Sequence, residues 1–441
     1  MTDLFHSLGA YAGAKQRWRR WPSRARFDQW RIRRLEEQLA WVARHSAFYR
    51  EHFQRNDRAV TDLTKWPIVT KRVMMSRITD FLTQPLEPDL LQQVCANPLE
   101  PLPLTKTGLS LGTSSGTSGS LGVFVVSARE RAVLGGLTLA RLLRGPIWQP
   151  QKVAFFLRAN SPVYGAVGKA LIRFEFFSLA DPFPRLLERL EALNPTILVA
   201  PPSMLNRIGE AVRLAKIRVQ PQQVISVAEV LESDDRDILR ATFRTPIDEV
   251  YQATEGFLGA TCRCGELHWN EDWMFIEREP LGDGRYTPIV TDLFRRIQPI
   301  IRYRLDDLIV DRETRCPCGS IFQVIERIEG RSDDVIHLPR LDQPDQIGWL
   351  FPDYVRLAVT AALPQVEDFR VVQTGLAELS VSIRPPLGTG SEAFLGRMQK
   401  ELVKICDRSG LVAPSLRLSP WPAEAASQKR RRVKGLRYPE S

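Results

Sequence analysis

Residues 184–217 read PRLLERLEALNPTILVAPPSMLNRIGEAVRLAKI. Apolar residues recur at helical spacing over 184–193 and again over 203–217, whereas 196–200 is a short apolar run typical of a buried strand. A similar run occupies 153–157. Alternation of buried strands with amphipathic helices predicts an α/β fold with a largely parallel sheet.

The pattern changes in the last quarter of the chain. Residues 369–373 and 379–383 alternate polar and apolar side chains like two strands around a turn, and 391–407 has the spacing of an amphipathic helix. We therefore expect two domains: a large multi-layer α/β domain over 1–334 and a small α+β domain over 335–441.

Composition describes a folded chain with excess positive charge. The chain has 441 residues, 44% of them hydrophobic and 25% charged, and this length exceeds what one hydrophobic core usually supports. The formal charge of +10 favours an anionic partner without distinguishing a nucleotide, an acidic protein, nucleic acid or a membrane surface. Residues 26–55 show helical apolar spacing, which predicts a packing helix.

The sequence also bears on location. It has no apolar run of the length that spans a membrane, and its start, Met1-Thr2-Asp3-Leu4, lacks the features of a secretion signal. We therefore expect a soluble, cytoplasmic protein. Six cysteines in a chain of this length do not form a disulfide scaffold.

A segment rich in glycine and hydroxyl groups, 111–122, precedes a β-like run at 123–126. Glycines let a backbone approach a polyphosphate closely, and successive N–H groups and hydroxyls can surround it. The segment is not a Walker loop, since no Gly-Lys-Ser/Thr follows. A flexible linker is the alternative. The candidate phosphate-binding residues are Ser114, Ser115, Gly116, Thr117, Ser118 and Gly119.

Three further motifs follow this segment along the chain. They are Tyr251-Gln252-Ala253-Thr254-Glu255, then Pro299-Ile300-Ile301-Arg302-Tyr303-Arg304-Leu305-Asp306-Asp307, and then Gly330-Arg331-Ser332-Asp333-Asp334. Together with the glycine-rich segment they resemble, in the same order, the motifs of the adenylate-forming superfamily. That superfamily includes acyl-CoA synthetases, peptide-synthetase adenylation domains and luciferases.

The resemblance implies a role for each motif. The glycine-rich segment would close over the β- and γ-phosphates of ATP, Tyr251 would lie at the nucleotide, Thr254 would meet the α-phosphate, and Glu255 would hold Mg²⁺, a hard ion that prefers oxygen ligands. Asp307 would accept hydrogen bonds from both ribose hydroxyls. Arg331 would reach the ribose as well, and Asp333 would be the hinge of a mobile small domain.

Weaker similarities point to one branch of the superfamily. Asn194-Pro195, Pro201-Pro202-Ser203 and Val227-Ala228-Glu229 resemble the phenylacetate–CoA ligase-like branch. In that branch these stretches precede or line the acyl pocket and the adenine site, which makes Glu229 a candidate nucleotide-binding residue. Ser120-Leu121 stands where many superfamily members have Pro-Lys, so the lysine usual there is missing.

Two Cys-x-Cys-Gly pairs lie on either side of Asp307. Four thiolates suit tetrahedral Zn²⁺, and a site filled by four protein ligands is structural rather than catalytic. The alternative is four reduced cysteines that pack as small hydrophobic side chains. The predicted ligands are Cys262, Cys264, Cys316 and Cys318, with His268 as a rival for the fourth position.

A basic run, Lys429-Arg430-Arg431-Arg432, lies near the end of the chain. Adenylate-forming enzymes place a lysine of the small domain on the reacting carboxylate, in a Gly-Lys then Arg-Val context that this run resembles with Gln428 in place of Gly. We therefore assign Lys429 as the catalytic lysine, which would stabilise charge in the transition state. Lys434 is a competing register, and a nuclear-localisation or nucleic-acid-binding run is the other interpretation.

These motifs predict an ATP- and Mg²⁺-dependent ligase. It would convert a carboxylic acid, aromatic by the branch resemblance, to an acyl-adenylate with release of pyrophosphate, and would then pass the acyl group to coenzyme A. The phosphopantetheine thiol of an acyl carrier protein is the alternative acceptor. We expect no nucleic-acid partner and leave a homodimer open. A hypothesis of another class is a non-catalytic zinc protein that binds nucleotide or nucleic acid.

Overall fold

A computed structural model describes most of the chain. The described residues are 2–53, 58–96, 108–113, 122–157, 172–179, 181–331, 334–363, 366, 368–384, 390–422 and 432–436. They form two compact units, one of residues 1–305 and 310–327 and the other of residues 306–309 and 328–441. Within this part of the chain, no helix combines the length and the apolar character needed to cross a membrane.

The described helices lie in both units. Their bounds are α1 Thr2–Arg19, α2 Arg24–His45, α3 Ala47–Arg50, α4 Lys71–Ser76, α5 Ile78–Phe81, α6 Pro88–Ala96, α7 Ala128–Leu142, α8 Phe183–Leu193, α9 Pro202–Arg213, α10 Ser233–Phe243, α11 Pro352–Ala362 and α12 Ser391–Ser409. Short 3₁₀ turns occupy Arg58–Thr61 and Leu63–Lys65.

The strands alternate with these helices in the middle of the chain. Their bounds are β1 Leu109–Thr113, β2 Val123–Ser127, β3 Gln151–Leu157, β4 Ile172–Ser178, β5 Ile197–Ala200, β6 Gln223–Ser226, β7 Ile247–Ala253, β8 Gly256–Thr261, β9 Leu267–Trp269, β10 Met274–Gly282, β11 Arg285–Asp292, β12 Tyr303–Arg304, β13 Asp307–Arg312, β14 Val324–Arg331, β15 Ile336–Pro339, β16 Ile347–Leu350, β17 Asp368–Gly375, β18 Glu378–Arg384, β19 Ser415–Leu418 and β20 Val433–Lys434.

A parallel sheet forms the centre of the larger unit. Strands β4, β3, β5, β6 and β7 pair in that order, each parallel to its neighbour. All four residues of β5 and of β6 are buried, as expected when helices cover both faces of a parallel sheet. On one face, α8, α9 and α10 contribute Leu190, Leu205 and Leu239 to the core. The order then continues antiparallel through β8, β9 and β14.

Helices α1 and α7 pack unusually closely in the larger unit. A Cβ atom added at Gly136 would lie 2.0 Å from the carbonyl oxygen of Ser7, so only glycine permits this approach. Buried ion pairs also attach the N-terminal helices. Glu271 accepts from Arg24 and Arg31, and Asp272 pairs with Arg17 and with Arg141 of α7.

The smaller unit has its own core. Strands β19, β18, β17 and β20 form one sheet, in which β17 and β18 are antiparallel and the two outer strands pair parallel to their neighbours. Helices α11 and α12 bury Val355, Phe394 and Leu402 in a single cluster with Val371 and Val381. The unit is therefore α+β.

The predicted fold class, α/β with a small C-terminal α+β part, is confirmed. The predicted strands at 153–157 and 196–200 correspond to β3 and β5, and the predicted helix at 184–193 corresponds to α8. The helix predicted over 203–217 is α9, which ends at Arg213. The expected domain boundary at residue 334 stays a prediction, as does the mobility of the small domain. Residues 332 and 333 lie outside the described part, and the compact smaller unit takes in residues from 328 onward.

Candidate functional site

The glycine-rich segment connects two paired strands. Strands β1 and β2 are antiparallel, with Thr113 opposite Val123. Leu111 and Val125 of this pair are buried in a shared hydrophobic cluster. The candidate phosphate-binding residues, 114–119, lie outside the described residues, so their role stays a prediction. The strands that carry the segment nevertheless have a defined place in the larger unit.

Thr254 and Glu255 form the turn between β7 and β8. Ala253 pairs with Gly256, so these two residues are the whole connection of a tight hairpin. The Thr254 hydroxyl donates to Oε2 of Glu255 at 3.0 Å, and both side chains are half-buried. The turn thus presents a hydroxyl and a carboxylate side by side, a pair suited to a phosphate and its cation.

Tyr251 precedes this turn on β7. It is buried, and its ring centroid lies 5.5 Å from that of Trp269. The Tyr251 ring therefore packs on the core side of the β7–β8 hairpin and stabilises it. Its predicted place at the nucleotide stays a prediction.

Glu229 lies just beyond the carboxyl end of β6. Its Oε2 accepts a hydrogen bond from the backbone N–H of Ser203, in the first turn of α9. A carboxylate is favourable at a helix N-terminus, where backbone N–H groups lack partners. Ala228 beside it has a positive φ of 68°, which turns the chain sharply at this edge of the sheet. Ligands of open α/β sheets bind beyond the carboxyl ends of the strands, and Glu229 lies there.

The arginine of the Pro-x-x-Arg-Tyr motif has structural partners. Arg302 donates from Nη1 to the carbonyl of Trp66 at 2.8 Å and pairs with Glu277 at 2.9 Å. Its φ is +45°, a conformation that a non-glycine residue adopts only when its surroundings hold it. The hydrogen bond and the ion pair of the side chain hold Arg302 in this backbone conformation.

Asp307 and Arg331, the two predicted ribose contacts, belong to the smaller unit. Asp307 is half-buried at the start of β13. The backbone N–H of Arg331 donates to Oδ2 of Asp334 at 2.9 Å, and a Cβ at Gly330 would lie 2.8 Å from that oxygen. Gly330 has a φ of +130°, a backbone conformation that favours glycine. The predicted hinge residue, Asp333, lies outside the described residues.

Three cysteines and one histidine of the larger unit converge. Sγ of Cys262, Sγ of Cys316, Sγ of Cys318 and a ring nitrogen of His268 all lie within 4.8 Å of one another. Two of the separations are 3.6 Å, between Cys262 and Cys316 and between Cys318 and Nε2 of His268. These separations suit a tetrahedral ion with ligands at about 2.0–2.3 Å, as Zn²⁺ has.

Cys264 is not among these four residues, and the choice between four thiols and three thiols with His268 stays a prediction. The Cys264 side chain is exposed, and the backbone N–H of Cys264 donates to Sγ of Cys262. Gly265, which follows, has a φ of +86°. His268, the rival candidate, lies on β9 and is the fourth member of the cluster. The Cys-x-Cys-Gly spacing predicted the pair Cys262 and Cys264 as ligands, but it does not show which of the two thiols points inward.

Contacts around the cluster fit a metal site. Nδ1 of His268 is 2.9 Å from the carbonyl oxygen of Phe322, which leaves Nε2 toward the sulfur atoms. Backbone N–H groups of Cys318 and Ser320 donate to Sγ of Cys316 and of Cys318. Burial raises the pKa of Cys262 to about 12, because a thiolate is disfavoured there without a cation. Donors that hold sulfur in this way are typical of zinc knuckles.

Of the two candidate catalytic lysines, Lys429 lies outside the described residues. Lys434 is described: it lies on β20, opposite Val372 of β17, and its side chain is exposed. The segment is held by the N–H of Val371, which donates to the carbonyl of Arg432, and by an ion pair from Arg432 to Asp368. Both lysine assignments stay predictions.

Two buried polar residues just before the Pro299–Asp307 motif, Arg295 and Gln298, were not predicted from the sequence. Both lie between β11 and β12 in the run Leu293–Ile301, where most neighbouring side chains are apolar. A charged residue inside such a run was the available signal, because a buried arginine requires hydrogen-bond partners.

Solved structures of known proteins have a fold similar to that of this chain. No protein-family model matches the chain. A 2-hydroxyisobutyryl-CoA ligase, crystallised in the postadenylation state with R3-HIB-AMP, superposes with a TM-score of 0.67 over 96% of this chain and 92% of its own, at 17% identity. The acyl acid amido synthetase AtGH3.15 gives a TM-score of 0.56 over 93% and 92% of the two chains, at 12% identity. The chain has the fold of the adenylate-forming enzymes.

A curated relative adds a sequence match. Protein CapK of Staphylococcus aureus is 23% identical over 337 residues, which are 69% of this chain and 67% of CapK. At these identities the comparisons establish architecture, and the chemistry has to be argued from the residues.

Proposed function

We propose that the protein is an AMP-forming ligase of carboxylic acids. The observation that carries this proposal is the Thr254–Glu255 turn, which presents a hydroxyl and a carboxylate 3.0 Å apart at the β7–β8 hairpin of an adenylate-forming fold. In the proposed reaction a carboxylate oxygen of the acid attacks the α-phosphorus of ATP. The bond to the β-phosphate oxygen breaks, pyrophosphate leaves, and an acyl-adenylate remains.

Each motif has a place in this step. Thr254 would donate a hydrogen bond to the α-phosphate, and Glu255 would hold Mg²⁺, which neutralises phosphate charge when bound. Asp307 and Arg331 would bind the ribose, Glu229 and Tyr251 the adenine side, and residues 114–119 the leaving phosphates. Lys429 would stabilise negative charge on the reacting carboxylate and α-phosphate.

The second step transfers the acyl group. A thiol sulfur attacks the carbonyl carbon of the adenylate, AMP leaves, and the thiol proton passes to solvent. We propose coenzyme A as the thiol and an aromatic acid as the substrate, on the resemblance to the phenylacetate–CoA ligase-like branch. A carrier-protein phosphopantetheine is the second candidate, favoured by the net charge of +10, since carrier proteins of this kind present acidic surfaces.

We further propose that Cys262, His268, Cys316 and Cys318 hold a structural Zn²⁺. Four protein ligands fill a tetrahedral site and leave no position for substrate, so the ion would contribute folding free energy rather than chemistry.

Pyrophosphate release tests the function. Purified protein is incubated with MgATP and a panel of aromatic and aliphatic acids, and active acids are retested with coenzyme A and with a holo carrier protein. Glu255→Gln should lower the rate by about a hundredfold or more, because it removes the charged ligand of the Mg²⁺ that would neutralise phosphate charge. Glu188→Gln, an exposed carboxylate on α8, is the control and should leave the rate unchanged.

The outcome also decides between classes of protein. A zinc protein that only binds nucleotide would bind MgATP but release no pyrophosphate with any acid. A nucleic-acid-binding protein would bind oligonucleotides and ignore MgATP. Either result contradicts the proposed ligase.

A further inference from the structure

Arg295 and Gln298 form a buried pair in the connection between β11 and β12. Arg295 is 8% exposed and Gln298 is 1% exposed. Nη2 of Arg295 donates to Oε1 of Gln298 at 2.7 Å. A guanidinium remains charged in proteins, so this buried group needs further acceptors. Those acceptors identify what the pair does.

Gln298 binds the backbone of β2 on both sides. Its Oε1 accepts from the N–H of Val125 at 2.9 Å, and its Nε2 donates to the carbonyl of Val123 at 3.1 Å. The side-chain amide thus imitates a neighbouring strand and fixes the position of β2. Because β2 directly follows the glycine-rich segment, its position sets where that segment rejoins the sheet.

Arg295 extends the same connection to the Thr254–Glu255 turn. Nη1 donates to the carbonyl of Thr254 at 2.7 Å, and Nη2 lies 3.4 Å from the carbonyl of Val125. Only a planar fork of N–H groups can reach two such carbonyls and the Gln298 amide together. One side chain therefore joins two motifs that are more than a hundred residues apart in sequence.

The charge of Arg295 acts on the same turn. Burial lowers the pKa of Arg295, and the carboxylates of Glu130, Asp292 and Glu255 oppose that shift. Arg295 thus acts on this turn through its hydrogen bond to the Thr254 carbonyl and through its attraction for the Glu255 carboxylate. Electrostatic interactions of this kind favour one orientation of a carboxylate.

We propose that Arg295, supported by Gln298, is a positioning residue for the nucleotide site. It holds the Thr254–Glu255 turn and the strand after the glycine-rich segment in one fixed geometry, so that both meet the phosphates of ATP without rearrangement. The proposal rests on the proposed ligase function. Arg295 acts through backbone carbonyls rather than on the substrate, which separates its role from those of Thr254 and Glu255.

Arg295→Lys tests the proposal, with Arg141→Lys as a matched control. Arg141 is also a buried arginine of the larger unit, but its partners are Asn270, Ala14 and Asp272. With an acid that the wild type uses, Arg295→Lys should raise the KM for MgATP about tenfold and leave the KM for the acid within about twofold. Arg141→Lys should lower the melting temperature comparably and leave both KM values unchanged.

Gln298→Met provides a second variant if Arg295→Lys does not fold, and it should raise the same KM. Hydrogen–deuterium exchange gives a readout without activity: amides of 123–127 and 254–261 should exchange faster in Arg295→Lys than in Arg141→Lys. Unchanged exchange in both segments, or losses of activity that only follow melting temperature, would overturn the positioning role. If both segments exchange faster in Arg295→Lys but the wild-type protein activates no acid, the ligase function is refuted, whereas the structural role of Arg295 is kept.

Discussion

Cys262 and Cys264 stand two residues apart and lie in opposite environments. Cys262 is 5% exposed and packs with Cys316 and Val324, whereas Cys264 is exposed to solvent. The Cys262 thiol thus faces the other cysteines and can bind metal, whereas the Cys264 thiol can react with reagents in solution.

Metal analysis distinguishes these residues. Protein prepared without chelator should contain close to one zinc per chain, and Cys264→Ser should keep that content. His268→Ala should lose most of it, because it removes one of four ligands and leaves the other three with an open position. Zinc retained in His268→Ala but lost in Cys264→Ser would restore the four-thiol site.

The catalytic lysine can be assigned by separating the two half-reactions. Lys429→Ala should abolish formation of the acyl-adenylate, because the positive charge on the reacting groups is lost. Thioester formation from a supplied acyl-adenylate should remain largely intact, since this lysine is needed only for the first step. Pyrophosphate exchange and thioester release measure the two steps separately.

Lys434→Ala is the control for this assignment. Lys434 is exposed on β20, so its removal should have little effect on the fold. A larger effect of Lys434→Ala than of Lys429→Ala would identify Lys434 as the catalytic lysine. Equal loss of both half-reactions in Lys429→Ala would show that the residue does not act in adenylation alone.

At the scale of elements, the connection between β11 and β12 is organised by a buried carboxyl group. Oδ1 of Asp292 accepts from the N–H groups of Phe294 and Arg295, at 2.7 and 2.9 Å. These bonds turn the chain so that Arg295 enters the interior. Burial raises the pKa of Asp292 from 3.8 to about 6, although both hydrogen bonds oppose the shift.

This raised pKa predicts a pH-dependent stability. The folded protein holds the Asp292 proton more tightly than the unfolded chain, so the contribution to stability is complete below pH 4 and lost as pH rises to about 6. The free energy of unfolding of the wild type, minus that of Asp292→Asn, should fall by about 3 kcal/mol across this window. Asparagine keeps the acceptor oxygen and removes the titration.

Urea unfolding at several pH values, followed by tryptophan fluorescence, measures that difference. It should be constant above pH 7, where Asp292 is ionised in both states. A difference that does not change between pH 4 and pH 6 would mean that Asp292 has an ordinary pKa in the folded protein.

At the scale of the whole molecule, the proposed zinc site joins two distant parts of the larger unit. The ring of Trp18 at the end of α1 makes edge contacts with His268 and Phe322, at centroid distances of 5.3 and 5.2 Å. Arg17 beside it pairs with Asp272, whose side chain is fully buried. The N-terminal helix is therefore attached next to the residues that would hold the ion.

Chelation should then weaken the attachment of α1. Removal of zinc should lower the melting temperature of the wild type, because metal binding free energy contributes to folding. Trp18→Ala should cost on the order of 2–3 kcal/mol, since the side chain is only partly buried, and should reduce the further effect of chelator. Calorimetry with and without chelator measures both effects.

Trp21→Ala is the matched control, because Trp21 packs on Phe27 and Trp30 instead of the cluster. It should be destabilised as well but respond to chelator like the wild type. Equal responses of Trp18→Ala, Trp21→Ala and the wild type would separate the N-terminal helix from the metal site.

Local patterns in the sequence were sufficient for the architecture. Buried strands β3 and β5, helices α8 and α9, and the small unit's β17, β18 and α12 follow from apolar spacing, since period and length are properties of neighbouring residues. The order of the motifs likewise pointed to the adenylate-forming fold. These features need no knowledge of which distant residues meet.

Only the tertiary structure decided the rest. His268 rather than Cys264 lies with the other three cysteines, because β9 pairs with β8 on one side and β14 on the other. Arg295 reaches the carbonyl of Thr254 across 41 positions of sequence. Contacts of this kind depend on how strands are ordered in the sheet, and local spacing holds no record of that order.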